Sequence, residues 1–193
     1  MAPRVSFIVS AYDRPEHLKL CLQSLVLQTM TDWDAIVMDN AVSPEARMAH
    51  WSVCSGARVR YVATPSPHNV SCYHSADYAV QHIAKGEWLC FPSDDSYYVP
   101  QFAERMLAAA DAGGWQLVYS NLVWGRQGIH TQLDCKPQLC CIDKTNFMIR
   151  RDKMIPFPGK QNGPCCADGH LIDVLVADGI VVGKVDQLLV VHN

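Results

Sequence analysis

Val5-Ser6-Phe7-Ile8-Val9-Ser10 is a run of β-branched and aromatic residues, and its sequel, Ala11-Tyr12-Asp13-Arg14-Pro15-Glu16, opens a helix. Asp13 and Glu16 have the spacing of a capping box, Pro15 suits a first turn, and Leu18, Leu22, Leu25 and Val26 recur at helical spacing. The same alternation continues outward. Ala35-Ile36-Val37-Met38 reads as a strand ending in Asp39-Asn40, followed by a helix from Pro44 to His50. Val59–Val62 is a third strand, and Ala76 to Ile83 a helix beyond a loop containing Pro and Ser. Trp88-Leu89-Cys90-Phe91 is a fourth strand, apolar throughout and so buried on both faces. Val99-Pro100 then opens a helix whose Phe102, Met106, Leu107 and Ala110 share a face, stopped by Gly113-Gly114. Four strand–helix units within residues 1–112 predict an α/β fold of parallel strands joined by right-handed crossovers. Ligands of such a sheet bind at the carboxyl ends of its strands.

Beyond residue 112 the rhythm changes: strand-like Gln116–Ser120, an irregular stretch, Leu139–Ile142, and a Gly/Pro-rich loop Pro156–Pro164. A helix near Asp168–Ala177 and closing strands at Ile180–Val182 and Leu188–His192 complete the pattern. With 193 residues, 49% hydrophobic, and no repeat or long linker, the expectation is a single domain over 1–193. A formal net charge of -3 gives no clustered basic face for nucleic acid. No apolar run approaches the roughly 18–20 residues a bilayer span needs, nor does the start resemble a secretory signal. The expectation is a cytoplasmic protein, peripheral association with a membrane being compatible with it. Without a secretory signal, the Asn69-Val70-Ser71 triplet carries no glycosylation reading. The nine cysteines are scattered with no C-x-x-C pair, so they read mainly as small core residues. The adjacent pairs Cys140-Cys141 and Cys165-Cys166 leave zinc as a minor reading.

Familiar phosphate loops are missing: no G-x-G-x-x-G follows the first strand, and there is no Walker lysine loop. Carboxylates instead mark the strand ends, namely Asp39 and the pair Asp94-Asp95. Two adjacent carboxylates repel one another unless a cation lies between them. Mg²⁺ or Mn²⁺ suits that place, since it takes one or two protein carboxylates and fills its shell with substrate phosphates and water. An ordinary Asp/Ser turn is the alternative.

Taken together, the segments Val5–Tyr12, Gln23-Ser24-Leu25-Val26-Leu27-Gln28-Thr29, Asp32–Asn40 and Ala84-Lys85-Gly86-Glu87-Trp88-Leu89-Cys90-Phe91-Pro92-Ser93-Asp94-Asp95, with Tyr98-Val99-Pro100, resemble family 2 of the inverting glycosyltransferases. The pattern is most similar to the spore-coat polysaccharide branch. The resemblance implies a GT-A (Rossmann-like) domain with a mixed, mostly parallel central sheet flanked by helices. Residues 1–112 would form its nucleotide-binding half and 113–193 its acceptor-side half. It further implies a nucleotide-sugar donor, UDP-linked, held by Ser10, Ala11, Tyr12, Asp39, Asp94 and Asp143, with Asp39 reaching the base. Asp95, Asp94 and His192 would serve Mn²⁺ or Mg²⁺. Asp168, at the start of a late helix, would be the general base that deprotonates an acceptor hydroxyl of a glycan or other glycoconjugate.

Two departures stand out. Pro92 occupies the place of the first Asp in the usual D-x-D-D form, and Asp77-Tyr78 falls where many members carry Arg-Asn. Each site residue also has an ordinary reading: Asp39 and Asp168 as helix caps, Ser10 as a strand end, His192 as an exposed terminal residue. The loop Pro156–Pro164 reads as a lid with Lys160 facing the diphosphate or solvent. A nucleotide-binding relative without turnover, and a sugar nucleotidyltransferase, are the alternative functions. The second is disfavoured because Ser10–Pro15 offers Arg14 as its sole basic residue.

Overall fold

The structure, a computed structural model, describes residues 2–64, 72–126, 128–158 and 167–193. In its first half, β1 (Val5–Ala11), β2 (Trp33–Asp39), β3 (Val59–Ala63) and β4 (Trp88–Cys90) alternate with α1 (Pro15–Val26), α2 (Pro44–Val53) and α3 (Cys72–His82). A short β5 (Ser96–Tyr98) then precedes α4 (Phe102–Gly113). These are followed by β6 (Leu117–Arg126), β7 (Ile129–Leu133), β8 (Phe147–Arg150), α5 (Ala167–Ala177) and β9 (Val182–His192). The nine strands of the described residues form one sheet of order β3-β2-β1-β4-β8-β6-β9-β5, with β7 paired to β6.

The first four strands are parallel, as the alternation predicts. β8 runs antiparallel to both β4 and β6, and β9 lies parallel to β6, so the sheet is mixed. β1, a central strand between β2 and β4, is buried at every one of its seven residues. α1 packs through Leu18, Cys21, Leu22 and Leu25. Phe7, Phe91, Phe102, Phe147 and Phe157 are the bulkiest wholly buried side chains, and they come from both halves of the chain, so one core serves the whole sheet.

Several details depart from the sequence pattern. The capping box at Asp13 and Glu16 does not form: Arg14 is the residue before α1, no side chain caps the helix, and Asp13 adopts φ 48°. Leu139–Ile142 lies in an irregular turn, with Cys140 at φ 62°. The two closing strands are one, β9, whose pairing with β6 shifts register around Asn121. Hairpin strand β7 escapes the pattern because it is almost wholly exposed, and β5 because it has three residues. Of the described cysteines, Cys21, Cys90 and Cys135 are buried, Cys54, Cys72 and Cys141 half-buried and Cys140 exposed. Cys165, Cys166, Lys160, Asn69 and most of the Pro156–Pro164 loop lie outside the described residues.

Candidate active site

The site begins where β1 and β4 run out. The Ser10 amide donates to the Pro92 carbonyl at 2.9 Å, and the Asp94 amide donates to the Ser10 carbonyl at 3.0 Å. With the parallel bridge between Ser10 and Ser93, these bonds carry the β1–β4 pairing past the end of β4. The acidic pair is thereby clamped at the carboxyl edge of the sheet. Pro92 needs to supply only its carbonyl, which a proline retains. Ser10, Ala11, Tyr12, Arg14, Asn40, Cys72, Ser93 and Asp94 line a cleft at this edge.

Asp94 and Asp95 are 1% and 4% exposed. The Tyr12 amide donates to Asp94 Oδ2 at 2.8 Å. The Arg14 guanidinium spans the pair: Nη2 bonds Asp94 Oδ1, and Nη1 bonds Asp95 Oδ2 at 2.5 Å. Burial pushes the Asp94 carboxyl above its ordinary value, the Asp95 charge adding to this while the Tyr12 amide and Arg14 pull it back. Burial works against the charge of Arg14, but the two carboxylates outweigh it and raise its pKa. The other Asp95 oxygen, Oδ1, is buried without a hydrogen-bond partner. It faces His192 Nδ1 at 3.7 Å, and that nitrogen lies 3.0 Å from Ser96 Oγ. His192 therefore reaches the acidic pair, through the antiparallel register of β5 on β9.

Asp39 meets different surroundings from those expected for a base contact. Its side chain is wholly buried, Oδ1 accepting from the Ala41 amide at 2.8 Å and facing His50 Nδ1 at 3.0 Å, Oδ2 accepting from the Tyr61 hydroxyl at 2.5 Å. Burial alone would raise its pKa, but His50, Tyr61 and the Ala41 amide more than offset this and lower it. Both oxygens are thus engaged by groups of the protein itself. Its neighbour Asn40 lines the cleft instead, with its side-chain oxygen buried and unpartnered.

A second group gathers around α5. Asp168, 7% exposed, sits in the first turn of α5; its Oδ2 accepts from the Lys144 amide at 3.0 Å and its Oδ1 from the Gly169 amide at 2.9 Å. A helix N-terminus favours a carboxylate. Burial nonetheless dominates and, with the neighbouring Asp143 charge, raises the Asp168 pKa. Asp143 caps the 3₁₀ turn Lys144–Asn146, accepting from the Thr145 amide at 2.9 Å. It also lines a second cleft with Leu122, Trp124, Leu133 and Cys140. Trp124 is 41% exposed and meets the His192 ring edge-on at 6.0 Å, so the second cleft abuts the acidic pair. Asp77, at the place where many family members carry Arg, is buried and accepts from the Phe157 amide at 3.1 Å. Arg14, Asn40 and Trp124 line these clefts with no local signal in the sequence, since each is an ordinary loop or strand residue until the sheet edge assembles.

A divalent cation fits the acidic pair by its donor set: two carboxylates, one with a buried oxygen lacking any donor, and a histidine beside it. Among the described residues no three His, Cys, Asp or Glu converge, so substrate oxygens and water would complete the shell.

Residues 6–170 match the family described as Glycosyl transferase family 2. The chain belongs to this family. Protein CgeD of Bacillus subtilis (strain 168) is 27% identical over 118 residues, covering 55% of this chain and 26% of CgeD. Succinoglycan biosynthesis protein ExoO of Rhizobium meliloti (strain 1021) is 27% identical over 120 residues, covering 62% of this chain and 33% of ExoO. The family 2 domain thus spans about a third or less of these curated relatives. Among solved structures, S. aureus TarS 1-349 superposes with a TM-score of 0.79 at 14% identity, over 98% of this chain and 60% of TarS 1-349. The same protein in complex with UDP-GlcNAc gives 0.78 at 14% identity, over 97% of this chain and 58% of that one. Mannosyltransferase PcManGT from Pyrobaculum calidifontis, in complex with GDP-Man and Mn2+, gives 0.76 at 14% identity, over 100% of this chain and 57% of that one. At such identities the likeness concerns the fold, a GT-A glycosyltransferase sheet. No helix of the described family 2 domain is long and apolar enough to cross a membrane.

Proposed function

We propose that this family 2 domain transfers a sugar, with inversion, from a nucleotide-sugar donor to an acceptor hydroxyl of a glycan or other glycoconjugate. The observation that carries the reading is the buried Asp95 Oδ1, without a hydrogen-bond partner and beside His192, at the strand edge where such a sheet takes its ligand. UDP is the favoured nucleotide, on the likeness to TarS; the GDP-Man complex of PcManGT makes GDP the competitor. Residues 1–112 would hold the donor and 113–193 the acceptor.

Ser10, Ala11, Tyr12 and Asn40 line the donor cleft, and Asp39 holds the turn that presents Asn40. Asp95, Asp94 and His192 would hold Mn²⁺ or Mg²⁺, whose charge stabilises the leaving diphosphate. Asp168 takes the proton from the attacking hydroxyl; its raised pKa makes it the stronger base. Asp143 and Trp124 border the space in which the acceptor would sit. A cytoplasmic location fits use of a soluble nucleotide sugar.

The test is a panel of UDP- and GDP-sugars scored for Mn²⁺-dependent hydrolysis and transfer. Turnover that vanishes in Asp95→Asn and Asp168→Asn supports the reading; full turnover in either variant overturns it. Arg14, which already neutralises the acidic pair, favours a second reading, a nucleotide binder without turnover. Binding of UDP by calorimetry, with no hydrolysis or transfer across the panel, would select it.

A further inference from the structure

We infer that Arg14 is the resident counter-ion of the Asp94–Asp95 pair, and that a divalent cation enters the site by exchange with its guanidinium. The inference rests on the proposed cation site and concerns how that site is kept and released. Three observations carry it. The fork of Arg14 spans both carboxylates, one nitrogen to each, which is the task a cation would perform. The carboxylates are buried at 1% and 5% side-chain exposure while the Arg14 side chain is 45% exposed, so the anions are fixed and the cation is free to leave. Asp95 Oδ1 lacks a donor, so the guanidinium leaves the pair incompletely satisfied.

The backbone around Arg14 is shaped for this bond. Asp13 sits at φ 48°, a left-handed conformation that Asp tolerates, and the expected Asp13 cap on α1 is forgone. The next residue, Arg14, then turns toward β4 rather than along the helix surface. A chain with two adjacent buried carboxylates and no neutralising group would suffer their repulsion whenever the metal was absent. Arg14 relieves it and holds both side chains in place. The cost falls on metal affinity, because the cation must displace a bidentate ion pair. An anionic diphosphate entering the same cleft gives the released guanidinium a new partner, so nucleotide and cation strengthen one another's binding.

Calorimetric titration with MnCl₂ alone, without nucleotide, tests this in the wild type, Arg14→Gln, Arg14→Lys and Asp95→Asn. Exchange requires Arg14→Gln to bind Mn²⁺ about tenfold or more tightly than the wild type, a factor typical of one coupled site. Arg14→Lys, a point charge unable to fork across both carboxylates, falls between them and keeps the test open should the Gln variant fold poorly. In chelator, Arg14→Gln melts below the wild type and gains more on adding Mn²⁺. UDP strengthens Mn²⁺ binding less in Arg14→Gln than in the wild type. Binding in Arg14→Gln and Arg14→Lys no tighter than in the wild type, with Asp95→Asn binding none, overturns the exchange and leaves the cation site standing. Equal Mn²⁺ binding in Asp95→Asn, or none in any variant, overturns both.

Discussion

Asp168, the proposed base, has surroundings that work against its charge. Burial and the Asp143 carboxylate raise its pKa, while the amides of Gly169 and Lys144 pull the other way and lose. A raised carboxylate is neutral below its folded value, so transfer falls as pH drops through a point above the ordinary aspartate range of about 4. Asp143→Asn removes the like charge, so the acid limb of the pH–rate profile moves to lower pH and the plateau falls with the weaker base. An unmoved limb would show that the two carboxylates do not interact. Asp168→Asn should cost about 10²- to 10⁴-fold in kcat, the usual worth of a positioned base. The same shift bears on stability: the Asp168 contribution is present below the unfolded-state pKa and lost as pH rises through the raised folded value. Asp39 has the opposite sign. Its folded pKa is lowered by His50, Tyr61 and the Ala41 amide, so its contribution is present above the unfolded value and lost on acidification. Tyr61→Phe removes a 2.5 Å bond to that buried carboxylate and should cost about 1–3 kcal/mol in denaturant unfolding at neutral pH.

At the scale of elements, the bend before β4 sets the register that brings Asp94 and Asp95 to the cleft. Gly86 lies against β1, its amide donating to Ser6 Oγ at 2.9 Å. A Cβ there would stand 2.4 Å from the Ser6 amide nitrogen, a backbone atom of a wholly buried strand. Gly86→Ala should therefore destabilise by on the order of 3 kcal/mol, with a lower denaturant midpoint and an unchanged slope. A neutral substitution would mean that β1 and the Gly86 turn separate at little cost. The parallel half was legible because its strands and helices each carry an apolar period long enough to read: Val5–Ser10, Ala35–Met38 and Trp88–Phe91 are all buried, the last as its apolar run predicts. The second half was harder because its strands are short, exposed or bulged. β7 shows hardly any buried face, β8 is a four-residue strand, and the register shift at Asn121 merges two apparent strands into β9. Of the candidate site, the acidic pair is legible from its strand-end position, and Asp168 enters through the family resemblance alone. The Arg14 fork, the inward turn of Asp39 and the approach of Trp124 to His192 depend on contacts between residues 80, 22 and 68 positions apart, which no local pattern encodes.

For the whole molecule, one sheet and one core join the proposed donor cleft to the proposed acceptor side. β4 pairs with β8, β8 with β6 and β6 with β9, and β9 returns His192 to the acidic pair. The two halves should therefore unfold as one cooperative unit, with coincident transitions by tryptophan fluorescence and far-UV circular dichroism. Ligand at the donor cleft then stabilises every strand, including those of the second half. The net charge of -3 matters here, because buried carboxylates and an anionic diphosphate attract one another only through a cation. UDP alone or Mn²⁺ alone should raise the melting temperature little. Both together, at about a hundred times the dissociation constant, contribute about 2.7 kcal/mol. For a chain of this length that corresponds to a rise of roughly 5–10 °C. In hydrogen exchange, the added protection should extend to the amides of β6 and β9. Protection confined to β1, β2 and the Asp94 turn would show that the halves open separately, and a joint shift no larger than the sum of the single ones would remove the cation from between protein and diphosphate.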